Sequence, residues 1–306
     1  MCINIIFKYD SIKFKNDISM YIKHKILTKY IICINMYRIY KTYFIHTICI
    51  KEACMAVKIA VANQKGGVGK TTTALALADG LRIRGKSVLL IDTDPQRNST
   101  MVYGAKTEDV ATLYDIIFAG YTAEQCIQAT DHGDIIASDE QLQSADTQIK
   151  PSPKMYKYLK SALKTADKKY DYIIFDTPPR TGILLGNVLE AAEYVIIPIT
   201  CDIFGIQGLM DFYQTVKEYQ DDNEILSIMG LLKIKYKGRQ SLTRDIEEQI
   251  LPDYARQMQT KVFKTAIRES VKCQEAQTLR QSLFEYAPKS TTATDYNMLI
   301  DEIMER

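Results

Sequence analysis

The chain has 306 residues, of which 46% are hydrophobic and 25% charged, a composition typical of a soluble globular protein. The formal net charge is +2, but residues 1–54 carry +6 and the remainder carries −4, so overall charge is no argument for nucleic-acid binding. The seven cysteines include no C-x-x-C pair. A zinc site, an iron–sulfur site and a disulfide framework are therefore unexpected, and a reduced, cytoplasmic location is the default expectation.

Residues 1–54 differ in composition from the rest of the chain. They contain fourteen Ile, eight Lys and six Tyr, but no Gly, Pro, Val or Gln, which is the bias of translated A/T-rich DNA. Lys51-Glu52 can be encoded by a purine run at ribosome-binding distance from Met55. We expect Met55 to be the true start and residues 1–54 to be a non-native or disordered extension. A basic surface-binding arm stays open as the alternative, whereas basic residues from Arg38 onward interrupt the apolar run that a transmembrane helix needs.

From Met55 onward, apolar strands alternate with amphipathic helical stretches, which predicts a mostly parallel sheet with helices on both faces. The first helix begins near Lys70, and Gly85 is placed to end it. A second helix is predicted over 154–168, after a proline-rich loop. No Gly/Ser linker or repeat divides residues 55–306, so we expect one doubly wound α/β domain. The predicted strands are 57–63, 87–92, 133–137, 171–176, 194–199 and 226–234.

A glycine-rich loop lies between the first strand and the first helix, where a phosphate-binding loop must sit. Its glycines let backbone N–H groups face a phosphate, and the helix N-terminus adds positive potential. Lys70 would neutralise phosphate oxygens and Thr71 would bind Mg²⁺. The usual pattern is not fully met, because Gln64 stands in place of the first glycine and an extra lysine, Lys65, follows it. The predicted ATP-binding residues are Lys65, Gly66, Gly67, Val68, Gly69, Lys70, Thr71 and Thr72.

Carboxylates follow two further predicted strands. Asp92 and Asp94 come at the end of strand 87–92, and Asp176 ends strand 171–176. Because the carboxyl ends of parallel strands share one edge of a sheet, these side chains should meet the glycine-rich loop. Asp176 is the natural direct or outer-sphere Mg²⁺ ligand, whereas Asp92 and Asp94 are candidates to order water there. The predicted metal-site residues are Thr71, Asp92 and Asp176.

These motifs resemble those of the ParA/MinD group of P-loop ATPases, whose phosphate loop carries the additional lysine. Residues 65–72 match that loop, and Asp92-Thr93-Asp94-Pro95-Gln96 resembles the second motif of the ParA branch. The similarity covers 55–306 and none of 1–54. It implies a P-loop fold, ATP and Mg²⁺ as cofactors, and partition or positioning of genetic cargo.

The resemblance also implies roles for individual residues. Lys65 would reach across an ATP-dependent homodimer to the partner's phosphates, and Asp94 would position the hydrolytic water, so both are predicted to be catalytic. Hydrolysis would be weak in the isolated protein and stimulated by DNA and a ParB-like DNA-binding adaptor. Nucleoid association is expected, with DNA bound irrespective of its sequence.

Basic residues late in the chain are the candidate DNA contacts, with Arg239, Arg244 and Arg268 favoured. Lys233, Lys235 and Lys237 alternate, so in a strand they would share one face. An ordinary solvated surface is the alternative interpretation, since acidic residues such as Glu247 are interspersed.

Two other functions stay open. A MinD-like membrane-positioning ATPase would need a basic amphipathic C-terminal helix, but the last eleven residues are acidic, so no membrane partner is expected. The second open function is a nucleotide-gated regulatory protein with little turnover, because the sequence does not give the rate of ATP hydrolysis.

Overall fold

The fold is described here from a computed structural model, which describes residues 55–152, 154–237, 243 and 245–305. Met55–Arg306 form one compact unit. Its strands are β1 (Val57–Val61), β2 (Val88–Asp92), β3 (Ile127–Thr130), β4 (Gly133–Ile136), β5 (Tyr172–Asp176), β6 (Tyr194–Thr200), β7 (Ser227–Tyr236) and β8 (Val262–Arg268).

The helices of the described residues connect these strands. They are α1 (Lys70–Ile83), α2 (Asn98–Val102), α3 (Leu113–Ala119), α4 (Ala123–Cys126), α5 (Ala145–Gln148), α6 (Tyr158–Ala162), α7 (Ile183–Ala191), α8 (Ile203–Gln220), α9 (Leu251–Gln257), α10 (Lys272–Thr278), α11 (Leu283–Tyr286) and α12 (Thr291–Met304). Short 3₁₀ segments span Glu140–Ser144 and Ala166–Lys168, and a π-helical turn spans Ile246–Ile250.

The eight strands form one sheet in the order β3-β4-β2-β5-β1-β6-β7-β8. All neighbours are parallel except the β3–β4 hairpin at one edge. Two hydrophobic clusters cover the sheet, and alternate residues of β1 point to each: Ala60 to one, Ile59 and Val61 to the other. Helices α3, α6, α7 and α8 pack in the first cluster, α1 and α12 in the second. The expected doubly wound α/β fold is confirmed.

Burial explains why the central strands were recognised in the sequence. The side chains of β2 are all buried, and those of β1 and β5 are buried after the first residue. Strands covered on both faces form continuous apolar runs. The first helix also agrees with its prediction: Ala74, Leu77, Ala78 and Leu81 are buried. Gly85 follows it with a φ of +77°, the left-handed conformation that ends helices.

Three features differ from the sequence predictions. β3 is a short, half-buried edge strand, and β8 has the exposed basic residues Lys264 and Arg268 among its buried ones, so neither strand was recognised. The helix expected over 154–168 was wrong in its extent, because only Tyr158–Ala162 is α-helical and Ala166–Lys168 is 3₁₀.

Candidate active site

The glycine-rich loop leaves β1 at the centre of the sheet and leads directly into α1. Gly67 and Gly69 have φ angles of +70° and +72°, which L-residues with a side chain rarely adopt. Gly69 stands at the N-cap of α1 without any side-chain cap, so the first N–H groups of the helix are not satisfied by a capping side chain. Nothing lies within 4 Å of a Cβ placed on Gly66 or Gly67. The loop thus exposes backbone donors to open space, as a phosphate cradle requires.

The two lysines of the loop lie in different surroundings. Lys70 is buried, and its Nζ donates to the carbonyl of Lys65 at 3.1 Å. Burial lowers the pKa of Lys70, whereas the charges of Asp176 and Asp94 partly oppose that shift. The Lys65 ammonium is half-exposed and contacts Thr200 Oγ1 at 3.3 Å and Asp202 Oδ1 at 3.4 Å. Lys70 is therefore the lysine inside the cradle, and Lys65 lies at its rim.

Asp92 and Asp176 end neighbouring strands in register with one another and are both fully buried. Burial raises the pKa of each carboxyl, and the charge of Asp92 raises that of Asp176 further. Ser99 Oγ donates to Asp176 Oδ2 at 2.8 Å, whereas Asp176 Oδ1 is buried without a hydrogen-bond partner. A buried carboxylate oxygen without a partner is costly, so this atom marks where a cation or its water fits.

Both oxygens of Asp92 accept hydrogen bonds from its own chain. Its Oδ2 accepts from the backbone N–H and the hydroxyl of Thr100, both at 2.8 Å, and its Oδ1 accepts from Asp94 N at 3.1 Å. These bonds hold the segment that carries Asp94. In this structure Asp92 supports the loop, and its part in the Mg²⁺ shell remains a prediction.

Asp94 lies at the wall of a cavity of about 410 Å³ that is lined by the segments after β2 and β5. The backbone N–H of Gln96 donates to Asp94 Oδ1 at 3.0 Å, which fixes the carboxyl at the end of β2. The opposite wall comes from the segment after β5, including Pro178 and Arg180. The cavity leaves room for a reacting group next to Asp94.

The donors present fit a magnesium–nucleotide site rather than a cage made by protein alone. No group of three His, Cys, Asp or Glu side chains that could hold a metal was found within the described part of the chain. Mg²⁺ is usually held by one or two carboxylates or hydroxyls together with substrate phosphates and water. Thr71, whose hydroxyl faces Asp176, and the unpartnered Asp176 Oδ1 meet that description.

Comparison with known proteins agrees with this geometry. Residues 56–228 match the family model described as an AAA domain. The Soj sporulation initiation inhibitor of Bacillus subtilis is 36% identical over 249 residues, covering 80% of this chain and 97% of that protein. The chromosome-partitioning ATPase Soj of Thermus thermophilus is 34% identical over 81% of this chain and 96% of its own length. The chain belongs to the ParA/Soj family of P-loop ATPases.

A solved structure of the same fold carries the ligands named above. It is described as cobyrinic acid a,c-diamide synthase from Mycobacterium smegmatis with bound ATP analogue and magnesium. It matches with a TM-score of 0.70 at 28% identity, covering 81% of this chain and 94% of that chain.

Several residues of this ParA/Soj-type site were not predicted from the sequence. Asn63 donates to the Pro198 carbonyl at 2.8 Å and accepts from Lys65 N at 3.0 Å, which anchors the start of the loop to β6. Ser99 holds Asp176 and Thr100 holds Asp92. Asn63 ends the predicted strand 57–63, and Ser99 and Thr100 follow Asp94 after a short turn. Asn, Ser and Thr are ordinary turn residues, so their positions carried no specific signal.

The predicted DNA contacts are only partly within the described residues. Arg239 and Arg244 lie outside them. Arg268 is described: its guanidinium binds Asp295 Oδ1 at 2.6 Å through Nη2, and its own N–H donates to the same carboxylate. The hydrogen bonds to Asp295 raise the pKa of Arg268, and the charge of the Asp295 carboxylate raises it further. Its part in DNA binding therefore stays a prediction, although its structural partner is clear.

The expectation of one shared lysine face on β7 was wrong. Lys233 is buried and paired with Glu247 at 2.5 Å, whereas Lys235 and Lys237 are exposed. The pairing register with β8 shifts between Ile234 and Tyr236, and Lys235 has a φ of +51°. These irregularities break the period-2 alternation on which the expectation rested.

No helix among the described residues is long and apolar enough to cross a membrane.

Proposed function

We propose that this chain is a ParA-like ATPase that pairs on binding Mg-ATP, binds duplex DNA without sequence preference and partitions or positions a DNA cargo with a ParB-like adaptor. The observation that supports it most is the convergence, at one edge of the sheet, of Lys70 of the phosphate loop with the buried Asp176 carboxyl, one oxygen of which has no partner. Similarity to the chromosome-partitioning ATPase Soj of Thermus thermophilus supports the cellular role.

Each part of the site has a defined task in this proposal. The backbone of residues 66–70 and the Lys70 ammonium bind the phosphates, and Thr71 with Asp176 holds Mg²⁺. The metal neutralises charge on the phosphate oxygens. Asp94, fixed by the Gln96 N–H and facing the cavity, orients the attacking water. Lys65, at the rim of the loop, serves the second subunit.

Slow turnover in the isolated protein follows from this division of tasks. Phosphoryl transfer depends on positioned charge more than on covalent chemistry, so a site that lacks one charge works slowly. The Lys65 ammonium contacts Thr200 and Asp202 of its own chain. A second subunit, DNA and the ParB-like adaptor would complete the site at the nucleoid.

The decisive experiment measures binding of the full chain to random-sequence duplex DNA at fixed moderate salt, in Mg-ATP and in Mg-ADP. Lys65→Ala is the test variant, and Lys164→Ala, which removes an exposed lysine outside the site, is its matched control. We expect binding in Mg-ATP that is lost in Mg-ADP and in Lys65→Ala but kept in Lys164→Ala.

An absence of DNA binding in either nucleotide, with nucleotide occupancy shown separately, would overturn the proposal. A MinD-like positioning role or a regulatory role without turnover would then be examined first. Measurement of phosphate release with and without DNA separates these two, because only the first requires hydrolysis.

A further inference from the structure

The contact between Lys65 and Asp202 is not explained by nucleotide binding within one chain. Asp202 lies two residues after the end of β6 and stands at the N-cap of α8, where its Oδ1 accepts from Gly205 N at 2.7 Å. The same oxygen lies 3.4 Å from the Lys65 ammonium. One carboxylate thus caps an 18-residue helix and holds the lysine of the phosphate loop.

The backbone around Lys65 is fixed, but its side chain is held loosely. Its N–H donates to Asn63 Oδ1 at 3.0 Å, and its carbonyl accepts from Lys70 Nζ at 3.1 Å. The ammonium contacts with Thr200 and Asp202, at 3.3 Å and 3.4 Å, are at the long end of hydrogen-bond distances. The side chains of Lys65 and Asp202 are both more than a third exposed. Such an ion pair contributes little to the free energy of unfolding, and Lys65 can exchange Asp202 for another partner.

The carboxylate is prepared to receive a cation. Burial by itself would raise the pKa of Asp202, but hydrogen bonds from Thr200 and from Gly205 N, together with the Lys65 charge, hold the pKa below its ordinary value. Asp202 therefore stays ionised at neutral pH and attracts whichever ammonium is nearest. Asn63, bound to the Pro198 carbonyl, ties the loop to the same strand that presents Thr200 and Asp202.

We propose that Asp202 is a positioning residue that retains Lys65 in its own chain, so that this contact must break before Lys65 can serve a second subunit. The inference rests on the proposed ATP-dependent pairing. Asp202 then sets the protein concentration at which the Mg-ATP form pairs, because each protomer gives up one ion pair on association. The Lys65 backbone is already held in place, so Lys65 needs only a side-chain rotation to reach a second subunit.

Asp202→Asn separates the two tasks of the residue. Asparagine is as good an N-cap as aspartate, so the bond to Gly205 N is kept while the charge that attracts Lys65 is lost. The matched control is Asp301→Asn, which removes the same charge from an exposed ion pair with Arg84, at the opposite end of α1 from the phosphate loop. Far-UV circular dichroism and urea unfolding check that both variants fold as the wild type does.

The first measurement is the dimer dissociation constant of the full chain by sedimentation velocity, in Mg²⁺ with a non-hydrolysable ATP analogue. Exposed ion pairs contribute up to about 1 kcal/mol, or about fivefold each, so we expect Asp202→Asn to lower the dissociation constant by about threefold or more. Asp301→Asn should leave it unchanged. An unchanged or weaker dimer in Asp202→Asn would overturn the inference.

The second measurement does not require pairing. The rate at which Lys65 reacts with an amine-specific reagent is followed by peptide mass spectrometry in Mg-ADP, and it should rise about threefold in Asp202→Asn relative to Asp301→Asn. Equal rates overturn the positioning role. If the wild type does not pair in the ATP analogue, the proposed function fails, and this labelling rate alone decides whether Asp202 holds Lys65.

Discussion

Single hydrogen bonds determine which carboxylate oxygens of this site have a partner within the chain. Ser99 occupies one oxygen of Asp176 and leaves the other without a partner, whereas Thr100 and the Asp94 N–H occupy both oxygens of Asp92. Two aspartates that look alike in the sequence thus have different surroundings. Asp176 is left with an oxygen that has no partner, whereas both oxygens of Asp92 hold the segment that follows β2.

Ser99→Ala should weaken Mg²⁺ binding without preventing folding. The hydroxyl orients the Asp176 carboxyl, and the loss of such a supporting contact typically costs about 10–100-fold in metal affinity. The measurement is the Mg²⁺ concentration that gives half-maximal ATP binding. Ser144→Ala, which removes an exposed hydroxyl bonded to the Gln141 carbonyl, is the control. An unchanged Mg²⁺ requirement would contradict the role given to Ser99.

At the scale of elements, the first turn of α8 is packed closely against the end of β6. A Cβ on Gly205 would lie 2.1 Å from the backbone carbonyl oxygen of Thr200, a distance that real atoms do not tolerate. Gly208, one turn further along the same helix, has nothing within 4 Å of its Cβ position. The helix therefore needs a glycine at position 205 but not at position 208.

The pair Gly205→Ala and Gly208→Ala tests this close approach. Gly205→Ala should lower the free energy of unfolding by about 1–3 kcal/mol, the usual cost of overpacking a filled site. Gly208→Ala should raise it by about 0.5–1 kcal/mol, because alanine stabilises a helix interior. Urea unfolding of both variants provides the comparison. Equal effects of the two changes would show that the contact with Thr200 does not matter.

The C-terminal helix α12 is attached to β8 through charged side chains as well as its apolar face. Arg268, the last residue of β8, makes three hydrogen bonds from its guanidinium and one from its backbone to Asp295. On the same helix, Glu302 accepts from the backbone N–H groups of Lys264 and Thr265. The Arg268 side chain thus holds β8 to α12, and its part in DNA binding stays a prediction.

Arg268→Ala and Asp295→Ala should lower the urea midpoint of unfolding, and the double variant should be little worse than either alone. Residues that act through one shared contact show such non-additive effects. Lys272→Ala, which breaks an exposed ion pair with Glu275, is the control and should change the free energy of unfolding by less than about 0.5 kcal/mol. Fully additive losses would mean that the pair is not a stabilising unit.

At the scale of the whole molecule, the nucleotide site joins elements far apart in the chain. β1, β2 and β5 bring residues near positions 65, 92 and 176 to one edge, and α12 returns to α1 through the Thr73–Tyr296 hydrogen bond of 3.1 Å. A ligand that binds this edge therefore stabilises the sheet and its helices together.

Mg-ATP should raise the melting temperature of the full chain, and removal of Mg²⁺ should abolish most of that rise. A ligand at 100 times its dissociation constant adds about 2.7 kcal/mol, which corresponds to about 5–10 °C for a domain of this size. Differential scanning fluorimetry with ATP, with and without EDTA, is the measurement. Lys70→Ala should show no shift, whereas an equal shift in EDTA would argue against a metal-dependent site.

The amino-acid sequence by itself determined six of the eight strands, the helix after the phosphate loop, the candidate residues of the loop and the family to which they point. Buried parallel strands and glycine-rich turns leave strong local patterns, so short stretches were enough to recognise them. The sequence did not reveal β3 or β8, since an edge strand and a half-exposed strand carry polar residues where a buried strand carries apolar ones.

Only the tertiary structure decided which polar side chains meet. Three contacts join residues that are 14 to 137 positions apart in the chain. They are the ion pairs of Arg268 with Asp295, of Lys233 with Glu247 and of Lys65 with Asp202. Such contacts depend on strand order and register, which set distances of a few ångströms between segments that the local pattern cannot relate. For that reason the sequence predicted the candidate residues of the site, and the fold determined how they are held.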